Sequence, residues 1–320
     1  MQEQPANGGG EEALEPGLFQ DLDALNHAIS GSRLELIQLE PGDLEVHVCS
    51  FHIDGLSVDR GNANRKLRVR GELDAQRYSL GIFHPGAHAR FNGIVVDSST
   101  LLFMAPGLEL DGHLREAYGW TSLIVPPAWV EAVALATGVP GLLDSRTGCR
   151  KLLPDARKLK DLFLATEALA ACRLQSGPCD KRDQQLSLGV RNALGAVLSE
   201  FDRSASKMAS CTLSQYRTAQ RAERYIRERG AENISVDEIC TELLVSRRHL
   251  EYAFRHSFGT SPSRYSRLLR LHHVRHRLRR PGAATSVTAE ALNHGFTHLG
   301  RFSLQYRALF GESPSSTLNR

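Results

Sequence analysis

Val245-Ser246-Arg247-Arg248-His249-Leu250 leads into Phe258-Gly259-Thr260-Ser261-Pro262, and the chain closes a second such segment at Phe310-Gly311-Glu312-Ser313-Pro314. Pro262 and Pro314 lie 52 residues apart, a period that marks an internal repeat. Counting back from each proline pairs Leu250 with Phe302 and Phe254 with Tyr306. Both pairs sit at i and i+4, on one helix face. Further back, Cys240 matches Ala291 and Val245 matches Phe296, provided the second turn is one residue longer. Each unit reads as a short helix, a tight turn and a second helix. A small residue before the turn and an apolar one after it suit two helices that cross closely. The second helix of such a unit is shaped to enter a DNA major groove.

These residues resemble the DNA-binding region of the AraC/XylS family of transcription regulators. The carriers are Val245 to Leu250, Phe254, Gly259, Ser261-Pro262 and Arg270-Leu271 in the first unit and the connection, then Gly295-Phe296, Arg301-Phe302, Tyr306-Arg307 and Phe310 to Pro314 in the second. One departure is Leu244, where the family commonly has glycine. A left-handed backbone there costs a leucine about 1–2 kcal/mol, so a wider first turn is expected. The resemblance implies base-facing positions at Arg248, Glu251 and Tyr252, flanked by Ser246, Arg247 and Arg255. Arginine forks onto guanine O6 and N7, and glutamate accepts from the cytosine amino group. In the second unit the implied positions are Leu299, Gly300, Ser303 and Leu304, with His298 and Arg301 beside them. Leucines there suit thymine methyls or shape complementarity, with phosphate contacts alongside. Arg264, Arg267 and Arg275 on the connection read as phosphate-positioning or surface groups.

Charge divides the chain. From Thr212 onward there are 18 Arg and no Lys against 9 Asp and Glu, a balance of +9, whereas the first 211 residues balance to −6. A basic C-terminal part on an acidic remainder points to a polyanion as partner of the former alone. Six cysteines (49, 149, 172, 179, 211, 240) form no CxxC pair and read as reduced thiols rather than disulfides or a zinc site. The first residues have neither a basic start nor an apolar run, so no signal peptide is expected. No apolar run approaches about 18 residues, so no membrane span is expected. A cytoplasmic location follows as the expectation.

Residues 1–17 read as a disordered tail. Across 31–125, turn residues recur about every ten positions, the rhythm of a β-sandwich or barrel. Leu44, Val46 and Val48 oppose Glu45 and His47, and Leu67 and Val69 oppose Arg68 and Arg70. Such strands have one buried and one wet face. Pro126-Pro127 opens a helix to Thr137, and 138–148 reads as a linker. Leu159, Leu162, Phe163, Thr166, Leu169 and Ala170, then Leu186, Val190, Leu194, Val197, Leu198 and Phe201, mark two amphipathic helices in a hairpin. Ser204 to Ser210 reads as a second linker. Gly230 ends a helix begun near Tyr216, Ser235 and Glu238 form a capping box, Ser246 caps the next helix, and a long helix runs from Pro262 to Pro281-Gly282.

The resulting expectation is an α+β chain. The family resemblance implies a cupin-like β-barrel at 18–148 that binds a small-molecule effector. It also implies a helical linker and dimerisation region at 149–203, and a DNA-binding domain with two helix-turn-helix units at 212–320. The implied partners are promoter DNA, a small effector, a second copy and RNA polymerase; the implied role is activation. No cofactor is expected. His84, His88 and His113 lack the His-x-His spacing of a cupin metal site, and read as structural or ligand-contacting. No nucleophile elbow, phosphate loop or zinc-protease motif is present, so no enzyme activity is expected. Two alternatives stay open: a regulator whose N-terminal part only dimerises or binds a protein, and a cupin-type enzyme fused to a DNA-binding module.

Overall fold

A computed structural model describes residues 14–19, 32–115, 118–143, 148–176, 180–201, 205–206, 210–230, 232–280 and 285–319. The glycine-rich start, the stops at Gly177-Pro178 and Pro281-Gly282 and most of the Ser204–Ser210 segment lie outside them.

The N-terminal part is built of antiparallel strands: β1 (Leu14–Phe19), β2 (Arg33–Gln38), β3 (Val46–Ile53), β4 (Leu56–Ala63), β5 (Leu67–Glu72), β6 (Tyr78–Phe83), β7 (Ala89–Phe91), β8 (Ile94–Val96), β9 (Leu101–Met104), β10 (Glu109–Leu114) and β11 (Tyr118–Val125). They are joined by β12 (Cys149–Leu152) and β13 (Ala205–Ser206). Two sheets result, ordered β1-β3-β4-β11-β6-β9-β12-β13 and β2-β5-β10-β7-β8. Among the described residues no ladder joins the two sheets, so the fold is an open sandwich and not the closed, cupin-like barrel expected. The end of the expected tail is also ordered differently, since β1 pairs with β3 through Leu18 and His47.

Period-two alternation sets the layers. One face of the larger sheet sends Val58, Leu80, Ile82, Leu101 and Leu123 toward helices α1 (Pro127–Thr137), α2 (Ala156–Ser176) and α3 (Asp180–Leu198). The other sends Val46, Val48, Phe83 and Leu102 against Leu34, Leu36, Val69 and Leu110 of the smaller sheet. The two helical stripes face inward too: Leu162, Leu169, Val190, Val197 and Phe201 are fully buried within this one chain. They pack on the sheet of their own chain.

The C-terminal part comprises α4 (Ser210–Glu228), α5 (Val236–Leu243), α6 (Arg247–Phe258), α7 (Pro262–Leu278), α8 (Val287–Asn293), α9 (Leu299–Phe310) and α10 (Pro314–Leu318). Serine caps recur as expected. Ser235 and Glu238 form the capping box, and Ser246, Ser261, Ser286 and Ser313 each accept a backbone N–H three residues on. The first turn is not widened. Leu244 itself adopts the left-handed conformation, φ 56° and ψ 45°, where the matching Gly295 has φ 73°. Val245 N–H then reaches Cys240 O at 3.1 Å and Phe296 N–H reaches Ala291 O at 2.9 Å, so both turns close alike.

Candidate nucleic-acid interface

Helices α6 and α9 each have a buried back and an open front. Leu250, Ala253, Phe254 and Phe258 anchor the first, and Phe302, Tyr306, Leu309 and Phe310 the second. On the front of α6, Arg247, Arg248, Tyr252 and Arg255 are exposed and Glu251 is half-buried. Arg255 lies 3.4 Å from Glu251, Arg247 lies 3.3 Å from Asp237, and Tyr252 stacks on His256. Ser246 Oγ accepts from His249 N–H at 3.2 Å, which leaves its hydroxyl proton for a phosphate. The front of α9 shows His298, Leu299, Gly300, Arg301, Ser303 and Leu304 to solvent, with Leu304 73% exposed. All twelve positions named from the sequence therefore fall on two open faces rather than in the core.

The connecting arginines do not behave as a phosphate-facing set. Arg264 donates to Leu39 O at 3.1 Å. Arg270 is buried, donating to Gly295 O at 3.0 Å and Asn233 Oδ1 at 3.1 Å. Arg275 is buried against Phe310, 3.2 Å from Glu312. The helix they share is a structural rod: of the three positions read as phosphate or surface groups, Arg275 faces protein instead, whereas Arg264 stays exposed with one guanidinium nitrogen tied to Leu39 O.

What the sequence did not reveal is the contact between the strands and the helical bundle. Arg68, expected on a wet face, is 0% exposed. Its guanidinium lies 2.7 Å from Asp111 Oδ1 and 2.6 Å from Glu223 Oε2, and stacks over Phe258. Burial opposes that charge, but the Glu223 and Asp111 carboxylates outweigh it and raise the Arg68 pKa. Burial likewise works against the Glu223 charge, yet Arg68 and Arg227 hold its carboxyl below the usual range. Tyr265 donates its hydroxyl to Glu223, and Arg227 reaches Glu35 of β2 at 2.6 Å. His113 is buried beside Arg68, and burial first, then the charges of Arg68, Arg115, Arg90 and Lys66, push it down to about 3. His84 sits elsewhere, against Thr121 and Phe163, and is pushed down to about 4 by burial and Arg60.

Between the sheets lies a cavity of about 90 Å³. Its wall is apolar, from Leu36, Val69, Phe91, Leu110 and Trp120 among others, with Asp59, Ser79 and Ser122 as polar points.

Comparison with known proteins bears on the helical part. The family profile described as "Helix-turn-helix domain" matches residues 239–320. The XylDLEGF operon transcriptional activator 1 of Pseudomonas putida is 42% identical over 102 residues, 32% of this chain and 31% of that protein. A crystal structure of a probable AraC family transcriptional regulator from Rhodopseudomonas palustris is 36% identical, covering 32% of this chain and 96% of that one, with a TM-score of 0.31. The AraC-like transcriptional activator CuxR is 14% identical over 88% of this chain and all of its own, with a TM-score of 0.42. The match thus spans about a third of the length of the curated relatives, and the family profile falls on the C-terminal bundle. Two helix-turn-helix units with open fronts, caps and paired left-handed turns, matched at this identity, place the chain in the AraC/XylS family of transcription regulators.

Proposed function

We propose that this protein is a sequence-specific, cytoplasmic transcription regulator that activates its target genes in response to a small molecule held between its sheets. The observation that carries the DNA part is the pair of open helix fronts on buried backs, in the last third of the chain, the part with the +9 charge. Activation is supported by the Pseudomonas putida relatives, which are named as transcriptional activators. Arg248 is the principal base reader, Glu251 and Tyr252 its neighbours, and Ser246, Arg247 and Arg255 hold phosphates. Helix α9 adds apolar contact through Leu299 and Leu304, with His298 and Arg301 at its start, and the small Gly300 and Ser303 allow close approach.

Arg248→Ala should lose about 1–3 kcal/mol on the native operator and much less on one with the contacted guanine replaced. Mobility-shift titrations of the full chain decide it. Equal weakening on both operators removes Arg248 as a reader.

For the ligand, the supporting observation is the apolar cavity with Asp59, Ser79 and Ser122 in its wall. Its volume of about 90 Å³ holds a few water-sized groups, so a larger ligand must part the sheets. Strands β2, β5 and β10 carry Leu36, Val69 and Leu110 on the cavity side and Glu35, Arg68 and Asp111 on the bundle side. That shared sheet supplies the two-site coupling a ligand-controlled regulator needs. Thermal-shift screening of small, mainly apolar compounds tests it, with Val69→Trp filling the space. A shift that survives Val69→Trp places the ligand elsewhere.

A further inference from the structure

The smaller sheet, with the loop that leaves the end of β2, touches both helix-turn-helix units at corresponding places, the C-terminal ends of α6 and α9. At the first, the His113 ring fills the space where a Cβ on Gly259 would stand, and Arg68 lies over Phe258. At the second, the Asp43 carboxylate fills the same space at Gly311. Gln38 Nε2 donates to Leu309 O at 3.0 Å, and Gly42 N–H donates to Ala308 O at 3.1 Å. The rod between the units is held as well, since Gln38 N–H donates to His272 Nε2 at 3.1 Å and Arg264 donates to Leu39 O. Ile37 and Leu39 belong to the apolar core of the bundle itself.

We infer that the outer face of the smaller sheet positions the two recognition helices relative to each other, with Arg68, His113 and Gln38 as positioning residues. It thereby sets the half-site spacing of the operator that the protein accepts. The inference rests on the operator-binding reading above. A single connecting helix leaves each unit free to rock about that rod. A second attachment of each unit to one rigid sheet removes this freedom. Both attachments lie at the C-terminal ends, so the fronts that carry Arg248 and Leu304 stay open. The Arg68 cluster is suited to the task because it is directional. Its carboxylates come from β10 and α4, and a small displacement leaves buried charge unpaired, which is costly.

The test uses the full chain. Wild type first enriches its operator from a random DNA pool, and the half-site spacing is then changed by one and two base pairs. Each added base pair moves a half-site by about 3.4 Å and turns it by roughly 35°. Wild type should lose about tenfold or more per base pair, comparable to one lost base contact. Arg68→Met should lose under about threefold, while binding the native spacing with lower affinity. Glu223→Gln, which keeps the shape of the site, is the second variant should Arg68→Met fail to fold, and should relax the spacing preference in the same way. Arg68→Lys should restore part of the preference. Spacing preferences identical to wild type in the folded variants overturn the inference and leave operator binding standing. Failure of wild type to enrich any sequence overturns the operator-binding reading, and the inference with it.

Discussion

At the scale of single residues, two side chains carry a local cost with a clear origin. Leu244 is 91% exposed and left-handed, so its side chain gains little from burial while its backbone is strained. Leu244→Gly should stabilise the protein by about 0.5–1 kcal/mol, the left-handed penalty less the backbone entropy that glycine forfeits. Urea titration reads this as a higher midpoint, and a lower one shows that the leucine side chain makes a stabilising contact. His113 carries the other cost. Its folded pKa, near 3, lies below the ordinary value of about 6.5, so the unfolded chain takes up the proton first. The stability it permits is complete above pH 6.5 or so and declines as pH falls from there toward 3. Wild type should therefore lose about 1–2 kcal/mol between pH 7 and pH 5 that His113→Gln does not lose. Parallel denaturation of the two proteins at both pH values measures the difference, and equal losses assign the effect to other histidines.

Among the elements, helices were the most legible, because caps and stops act within a few residues. Ser235 with Glu238, Ser246 at α6 and Pro262 at α7 stand where local rules put them. The two open fronts were legible for the same reason, since the repeat fixes which side of each helix is apolar. Strand alternation was legible only in part. Leu67 and Val69 do face inward, but period two says nothing about what covers the other side, and Arg68 meets a glutamate 155 residues away. Sheet closure was not legible either, because alternation is the same in a barrel and a sandwich. The stripes on α2 and α3 were legible as buried faces, and the surface they bury against is the sheet of their own chain. Leu162→Ala and Leu169→Ala should each cost about 2–5 kcal/mol of stability, as buried leucines do, with the sedimentation mass unchanged. A changed mass at undiminished stability would restore these stripes as an association face.

The whole molecule is a stack of four layers: α1 to α3, the larger sheet, the smaller sheet and the C-terminal bundle. The last two layers are joined by ion pairs, hydrogen bonds and an apolar contact, and none of these depends on the covalent connection between them. The chain passes from one part to the other between residues 206 and 210, and a covalent link of that length adds an effective concentration in roughly the millimolar range. A protease site inserted there and cleaved should thus leave two fragments that still migrate as one species in gel filtration. Separately produced halves should reconstitute it on mixing. In the Arg68→Met background the cleaved pieces should part. If the wild-type fragments also separate on cleavage, tethering rather than complementarity holds the layers together.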